Sequence, residues 1–201
     1  MIGSTGSGKS TLINLIPRYY DVTKGSVKVD GVDVRDMTQK ELRDKLGYVP
    51  QKGVLFSGTI DSNIRYGKPE ITDAQVKEAA EVAQATEFID TKPEKYESPV
   101  SQGGTNVSGG QKQRLSIARA IAKDPEIFIF DDSFSALDFK TDSQLRKALK
   151  EYTKDATTVI VAQRISTILG ADQIIVLDDG HMAGIGTHKE LMANCEVYQQ
   201  I

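Results

Sequence analysis

The sequence has no tryptophan, one cysteine and two histidines. A single Cys195 cannot form an internal disulfide, so no cross-link holds the fold, and the chain suits a reducing compartment. The thiol reads as an inert structural one. His181 and His188 have no companion ligands at metal-site spacing, which argues against zinc chemistry. No apolar run approaches the roughly 18 residues a membrane span requires, and no signal peptide is visible. Neither sign of charge dominates. With 25 Lys and Arg against 28 Asp and Glu the net charge is −3, so there is no basic excess for nucleic acid or an anionic membrane. Taken by itself the chain reads as cytosolic.

A length of 201 residues without low-complexity tracts is enough for one domain with a sizeable core. Alternation and glycines in "GSVKVDGVDV" (25–34) predict a short β-hairpin, and Thr38 with Glu41 forms a capping box before a short helix. "LGYVPQ" predicts a strand ending at Pro50 and Gln51. From about Pro69 to Asp124 the pattern is helical. Thr72 and Gln75 make a second capping box, Val76, Ala79, Ala80 and Ala83 share a face, and Leu115, Ala118, Ile121 and Ala122 mark another helix that Pro125 stops. Strands are predicted at 127–131, at 157–162 and within "QIIVLDDG", with a helix carrying Leu145, Ala148, Leu149 and Tyr152 between the first two. Thr187 and Glu190 cap a last short helix. Apolar strands alternating with helices give an α/β fold with a mainly parallel sheet covered on both faces. Residues 1–68 and 125–201 are expected to form its core, and about 69–124 an inserted helical lobe.

Two glycine clusters carry chemistry. "GSTGSGKS" satisfies G-x-x-x-x-G-K-[ST]: Gly3, Ser4, Thr5, Gly6, Ser7 and Gly8 let consecutive N–H groups curl around phosphate oxygens, ahead of a helix N-terminus. Lys9 adds a cation for the β and γ phosphates, and the Ser10 hydroxyl suits a Mg²⁺ ligand. "IFIFD" ends an apolar strand in Asp131, a second acceptor for a Mg²⁺ shell. The second cluster, Ser108-Gly109-Gly110-Gln111, opens a helix far from the first. An ordinary helix cap would need only Ser and Gln three residues apart, yet two glycines also permit close approach of an anion. One nucleotide does not need two such sites from one chain, whereas two chains packed head to tail would use both.

On these motifs the chain resembles the ATP-binding domain of an ABC transporter over essentially its whole length. The resemblance implies a P-loop NTPase core with a mixed, mainly parallel sheet and an inserted α-helical subdomain, its N-terminal strands missing. It makes residues 3–11, ending in Thr11, the Walker A loop. Gln51 becomes the Q-loop glutamine and a Mg²⁺ ligand with Ser10 and Asp131. Val107, Ser108, Gly109, Gly110 and Gln111 become the signature, with Val where Leu is usual. Ser135, Ala136, Leu137 and Asp138 become the D-loop. "VPQKGVLFSGTIDSNI" resembles the exporter branch. The resemblance further implies ATP and Mg²⁺ as cofactors and a second ABC ATP-binding domain as partner, in a hetero- or homodimer. It implies a fused or associated transmembrane domain, placement at the cytoplasmic face of the cell membrane, and no nucleic-acid partner.

Two further positions depart from the family. Asp132 follows the Walker B aspartate where Glu is normal, and Gln163 stands in the switch loop where His contacts the γ-phosphate. With Gln51 these are the catalytic candidates. Asp is one methylene shorter than Glu, so its carboxylate falls about 1.5 Å short, and an amide can hydrogen-bond phosphate but cannot carry a proton. The expectation is a degenerate, slow site that binds ATP, in one half of a heterodimeric exporter whose signature serves the partner. A slow but competent ATPase is the alternative. DNA-repair or chromosome ATPases and translation-associated proteins share the fold, but the interval 51–108 has no coiled-coil heptads. A P-loop kinase leaves the second cluster unexplained.

Overall fold

The structure, a computed structural model, describes residues 1–201. In chain order its first elements are β1 (Ile2–Gly3), α1 (Lys9–Ile13), β2 (Lys28–Val29), β3 (Val32–Asp33), α2 (Gln39–Asp44) and β4 (Leu46–Val49). Next come β5 (Gly58–Thr59), α3 (Ile60–Ile64), α4 (Asp73–Val82), α5 (Thr86–Asp90), β6 (Pro99–Val100) and α6 (Gly109–Ala122). The chain continues through β7 (Ile127–Asp131), α7 (Phe139–Tyr152), β8 (Thr157–Val161), β9 (Ile174–Asp178) and β10 (His181–Gly186) to α8 (His188–Asn194) and α9 (Glu196–Gln199). They fall into two compact units, residues 1–44 with 159–201, and residues 45–158. No helix is long and apolar enough to cross a membrane.

In the first unit β1 pairs parallel with β9, Ile2 opposite Val176 and Gly3 opposite Leu177, and β10 runs antiparallel to β9. The Ala162 N–H donates to the Met1 carbonyl at 3.0 Å, so the end of β8 lies beside the strand that enters the glycine loop. Ile2, Ala162, Ile168, Ile174, Val176, Leu191, Cys195 and Tyr198 form the core of this unit. Each fully buried aliphatic side chain there contributes about 1.5–3 kcal/mol. Cys195 is buried in that cluster, in keeping with a structural thiol. The expected hairpin is present but short: Lys28 pairs with Asp33 and Val29 with Val32. Its Asp30-Gly31 turn has both φ angles positive, 51° and 79°, as a two-residue turn matched to strand twist requires.

In the second unit β4 and β7 run parallel, Leu46 opposite Ile127 through Val49 opposite Phe130, within a sheet of order β4-β7-β8. The 127–131 run is buried because both faces of this strand are covered. Helix α6 turns Leu115, Ile117, Ala118, Ile121 and Ala122 inward and packs against α3, α4 and β4. The capping box that the sequence predicts at Thr72 with Gln75 forms, and Ser108 with Gln111 closes a box of the same kind. The interval 69–124 is not purely helical, because β6 pairs with β5. Strands of two residues leave no periodicity for a sequence reading to find.

Candidate functional site

The loop after β1 is shaped by its glycines. A β-carbon on Gly3 would stand 2.1 Å from the Leu177 carbonyl oxygen, so only glycine lets β1 lie this close to β9. Gly6 and Gly8 have φ of 83° and 92°, in the left-handed region that glycine occupies without strain. Gly8 precedes α1 and offers no side-chain cap, so the first turn of that helix is not closed by its own chain. The Lys9 ammonium folds back over the loop, donating to the carbonyls of Gly3 at 2.8 Å and Ser4 at 2.7 Å and to Ser7 Oγ at 3.3 Å. A phosphate would offer this cation charged acceptors in place of neutral ones. Ser7 is buried beneath it, whereas Ser4, Thr5, Ser10 and Thr11 are exposed. Gln163, also exposed, follows directly on Ala162 and therefore leaves the sheet beside the strand entering this loop.

In the second unit the parallel register decides which side chains meet. Val49 lies opposite Phe130, so two residues further along each strand Gln51 comes beside Asp132. Gln51 Nε2 donates to Asp132 Oδ2 at 3.0 Å. With Nε2 so engaged, Oε1 is the end of the amide that can meet a cation. Asp131 is buried at the end of β7, and its Oδ2 accepts from the Tyr48 hydroxyl at 3.4 Å. Asp132 is 9% exposed and has φ of 46°, a left-handed conformation that aspartate tolerates better than most residues. The Ser133 hydroxyl, fully buried, donates to the Val49 carbonyl at 2.8 Å and ties the turn to β4. Taken singly, the Ser10 hydroxyl, the Gln51 amide and the Asp131 carboxylate each carry a hard oxygen of the kind Mg²⁺ takes.

Ser108 caps α6, with the Gln111 N–H donating to Ser108 Oγ at 3.2 Å and the Ser108 N–H to Gln111 Oε1 at 3.1 Å. Val107 is half-buried, its N–H donating to the Gly104 carbonyl. A β-carbon on Gly110 would lie 3.5 Å from the Ala136 carbonyl oxygen, which brings the signature beside residues 135–138. A β-carbon on Gly109 would meet nothing within 4 Å. In the 135–138 turn the Ser135 hydroxyl donates to the Asp132 carbonyl at 3.0 Å and Leu137 is buried. Asp138 caps α7, and the Thr141 hydroxyl and N–H hold its carboxyl below the usual carboxylate value. The expected site residues thus divide, 3–11 and 163 in the first unit and 51, 107–111, 131, 132 and 135–138 in the second.

Tyr48, Ser133 and Gln113 escape a sequence reading. Tyr48 and Ser133 act through strand register, which no local pattern encodes. Gln113 did leave a signal. It shares a face of α6 with Ile117, Ala120 and Ile121, and a polar side chain in an apolar stripe calls for buried partners.

A family model described as ABC transporter matches residues 1–135. An uncharacterized ABC transporter ATP-binding protein of Mycobacterium tuberculosis is 49% identical over 203 residues, covering 100% of this chain and 34% of its own length. A protein of Staphylococcus aureus that carries the name of a multidrug export ATP-binding/permease protein is 48% identical over 200 residues, covering 100% of this chain and 35% of its own. The solved structure of a bacterial Atm1-family ABC exporter with ATP bound superposes with a TM-score of 0.95 at 40% identity, over 99% of this chain and 35% of that one. The chain therefore spans about a third of the length of these relatives.

Proposed function

This chain belongs to the ABC transporter family, and on that premise we propose that it is the ATP-binding part of an exporter. It would hold Mg·ATP at residues 3–11 and lend its signature to the ATP of a second such domain. Bound Mg·ATP supplies the phosphoanhydride whose cleavage drives transport. Lys9 would exchange the loop carbonyls for β and γ phosphate oxygens, and the glycine loop would present N–H groups to the same oxygens. Ser10 Oγ, Gln51 Oε1 and Asp131 would supply oxygen ligands to the metal. Asp132 would orient or deprotonate the attacking water, one methylene short of a glutamate, and Gln163 would hydrogen-bond the γ-phosphate without supplying a charge.

The reduced reach of Asp132 is the reason to read the site as holding ATP longer than it consumes it. A misplacement of about 1 Å at a reacting group costs roughly 100-fold in rate. We place the whole protein at the cytoplasmic face of a membrane, with a transmembrane domain fused or associated. In support, the S. aureus relative is named an export ATP-binding/permease protein. A partner with its own glutamate after Walker B would complete a heterodimer, and two copies of this chain a homodimer. The named relatives favour transport over a DNA-repair, chromosome or translation role.

The observation that carries ATP binding is the Lys9 ammonium held over the glycine loop by two carbonyls. Lys9→Ala is expected to weaken ATP binding by roughly 10- to 100-fold, the worth of a charge-assisted phosphate contact. Isothermal titration of the full-length protein checks this. Unchanged affinity would remove the loop from the site.

A further inference from the structure

Gln113 is 1% exposed on α6, five residues beyond Ser108, and has no part in the reading above. Both ends of its amide are given to one short segment. The Gly53 N–H donates to Gln113 Oε1 at 2.9 Å, and Gln113 Nε2 donates to the Pro50 carbonyl at 3.1 Å. These two contacts bracket Gln51. An independent observation shows how flat the segment lies: a β-carbon on Gly53 would stand 2.7 Å from Ser116 Oγ and 2.9 Å from the Lys112 carbonyl oxygen, both on α6. Further along the same helix Arg119 donates to the carbonyls of Val54 and Asn63, each at 2.8 Å. Burial draws its guanidinium down to about 10, still charged at neutral pH. The other end of the chain of contacts is the Gln51 amide on Asp132.

We infer that Gln113 is a positioning residue. It fixes the backbone on both sides of Gln51 to the signature helix, and so sets where the Gln51 amide stands against Asp132 and the metal. A displacement of α6 at its signature end then reaches Gln51 through two hydrogen bonds. The signature that serves another ATP is thereby linked to the carboxylate of the chain's own site. Without the Gln113 amide, the Gly53 N–H and the Pro50 carbonyl would lose their partner on α6 in a half-buried place, so the segment would shift to recover partners. The inference rests on the reading of Gln51 as a metal-side group.

The test is a Mg²⁺ titration of fluorescent-ATP binding to the full-length protein. Gln51→Ala and Gln113→Ala are each expected to raise the half-saturating Mg²⁺ concentration about tenfold, as loss of an outer-shell partner does. Metal-free nucleotide binding should stay within about twofold, because the glycine loop is untouched. In the double variant the half-point should not exceed that of Gln51→Ala alone, because Gln113 acts through Gln51. Additive losses would mean a merely structural role and would overturn the inference. So would an unmoved half-point in Gln113→Ala when Gln51→Ala raises it. If Gln51→Ala itself moves nothing, the reading of Gln51 at the metal fails first and the inference falls with it. Gly53→Ala pushes the same segment off α6 while leaving Gln113 in place. It must reproduce the raised half-point, which keeps the inference open to refutation if Gln113→Ala does not fold.

Discussion

At Gly3 a β-carbon would collide with the Leu177 carbonyl at 2.1 Å, whereas at Gly109 it would meet open space. Both glycines belong to clusters at the start of a helix, yet they answer to different demands. Gly3 is required by the chain's own fold, since β1 cannot otherwise approach β9. Nothing within the chain asks for glycine at Gly109. The two helix starts differ in the same sense. The start of α1 has no side-chain cap and a lysine folded over its loop, while the start of α6 is closed by the Ser108–Gln111 box. The head-to-tail reading proposed above would put the close neighbour of Gly109 in another chain.

Gly3→Ala presses the contrast hardest. It should destabilise the protein by more than about 4 kcal/mol, because the obstacle is backbone and cannot swing aside. Soluble yield and thermal unfolding report it, and a variant that folds normally would show that β1 has room to spare.

The proposed hydrolytic chemistry is the next effect in size. Asp132→Glu with Gln163→His should raise turnover at this site at least about tenfold, since a positioned acid–base group is typically worth 10²–10⁴. Both changes are needed together, because groups acting as a unit are non-additive. Single-site hydrolysis, measured in the proposed heterodimer with the other chain's site disabled, decides it. A wild-type chain as fast as the double variant would make this an ordinary working site.

Gly109→Ala sharpens the contrast from the other side and has the smallest effect on stability. Replacing a helical glycine should stabilise the chain, by up to about 1 kcal/mol. On the proposed head-to-tail reading turnover at the partner's site should fall, because the added methyl group would stand where that reading brings another chain's nucleotide. A denaturant midpoint and a steady-state ATPase assay give the two readings. A stabilised variant with undiminished total activity would show that Gly109 faces no ligand.

Much of the site is legible along the chain because its parts are local. The loop 3–10 needs only consecutive glycines and a following helix, and the Ser108–Gln111 box needs only a spacing of three. Helix starts at Thr72, Ser108 and Thr187 follow for the same reason, since a cap satisfies N–H groups within its own first turn. The two-residue strands β5 and β6 stay invisible, as their pairing joins segments that carry no pattern of their own.

By itself, then, the sequence determined which groups exist and how they are ordered: the glycines, Lys9, the paired acids at 131 and 132, and the departures at Asp132 and Gln163. Only the tertiary structure decided which of them touch. Gln51 meets Asp132 across 81 residues because β4 and β7 share one parallel register, and a slip of one residue would turn those side chains to opposite faces. Gln113 reaches Pro50 and Gly53 because α6 packs against β4 and the segment after it, at a distance where only glycine fits at position 53. Contacts of that kind depend on how separate elements pack, and no local pattern of residues records it.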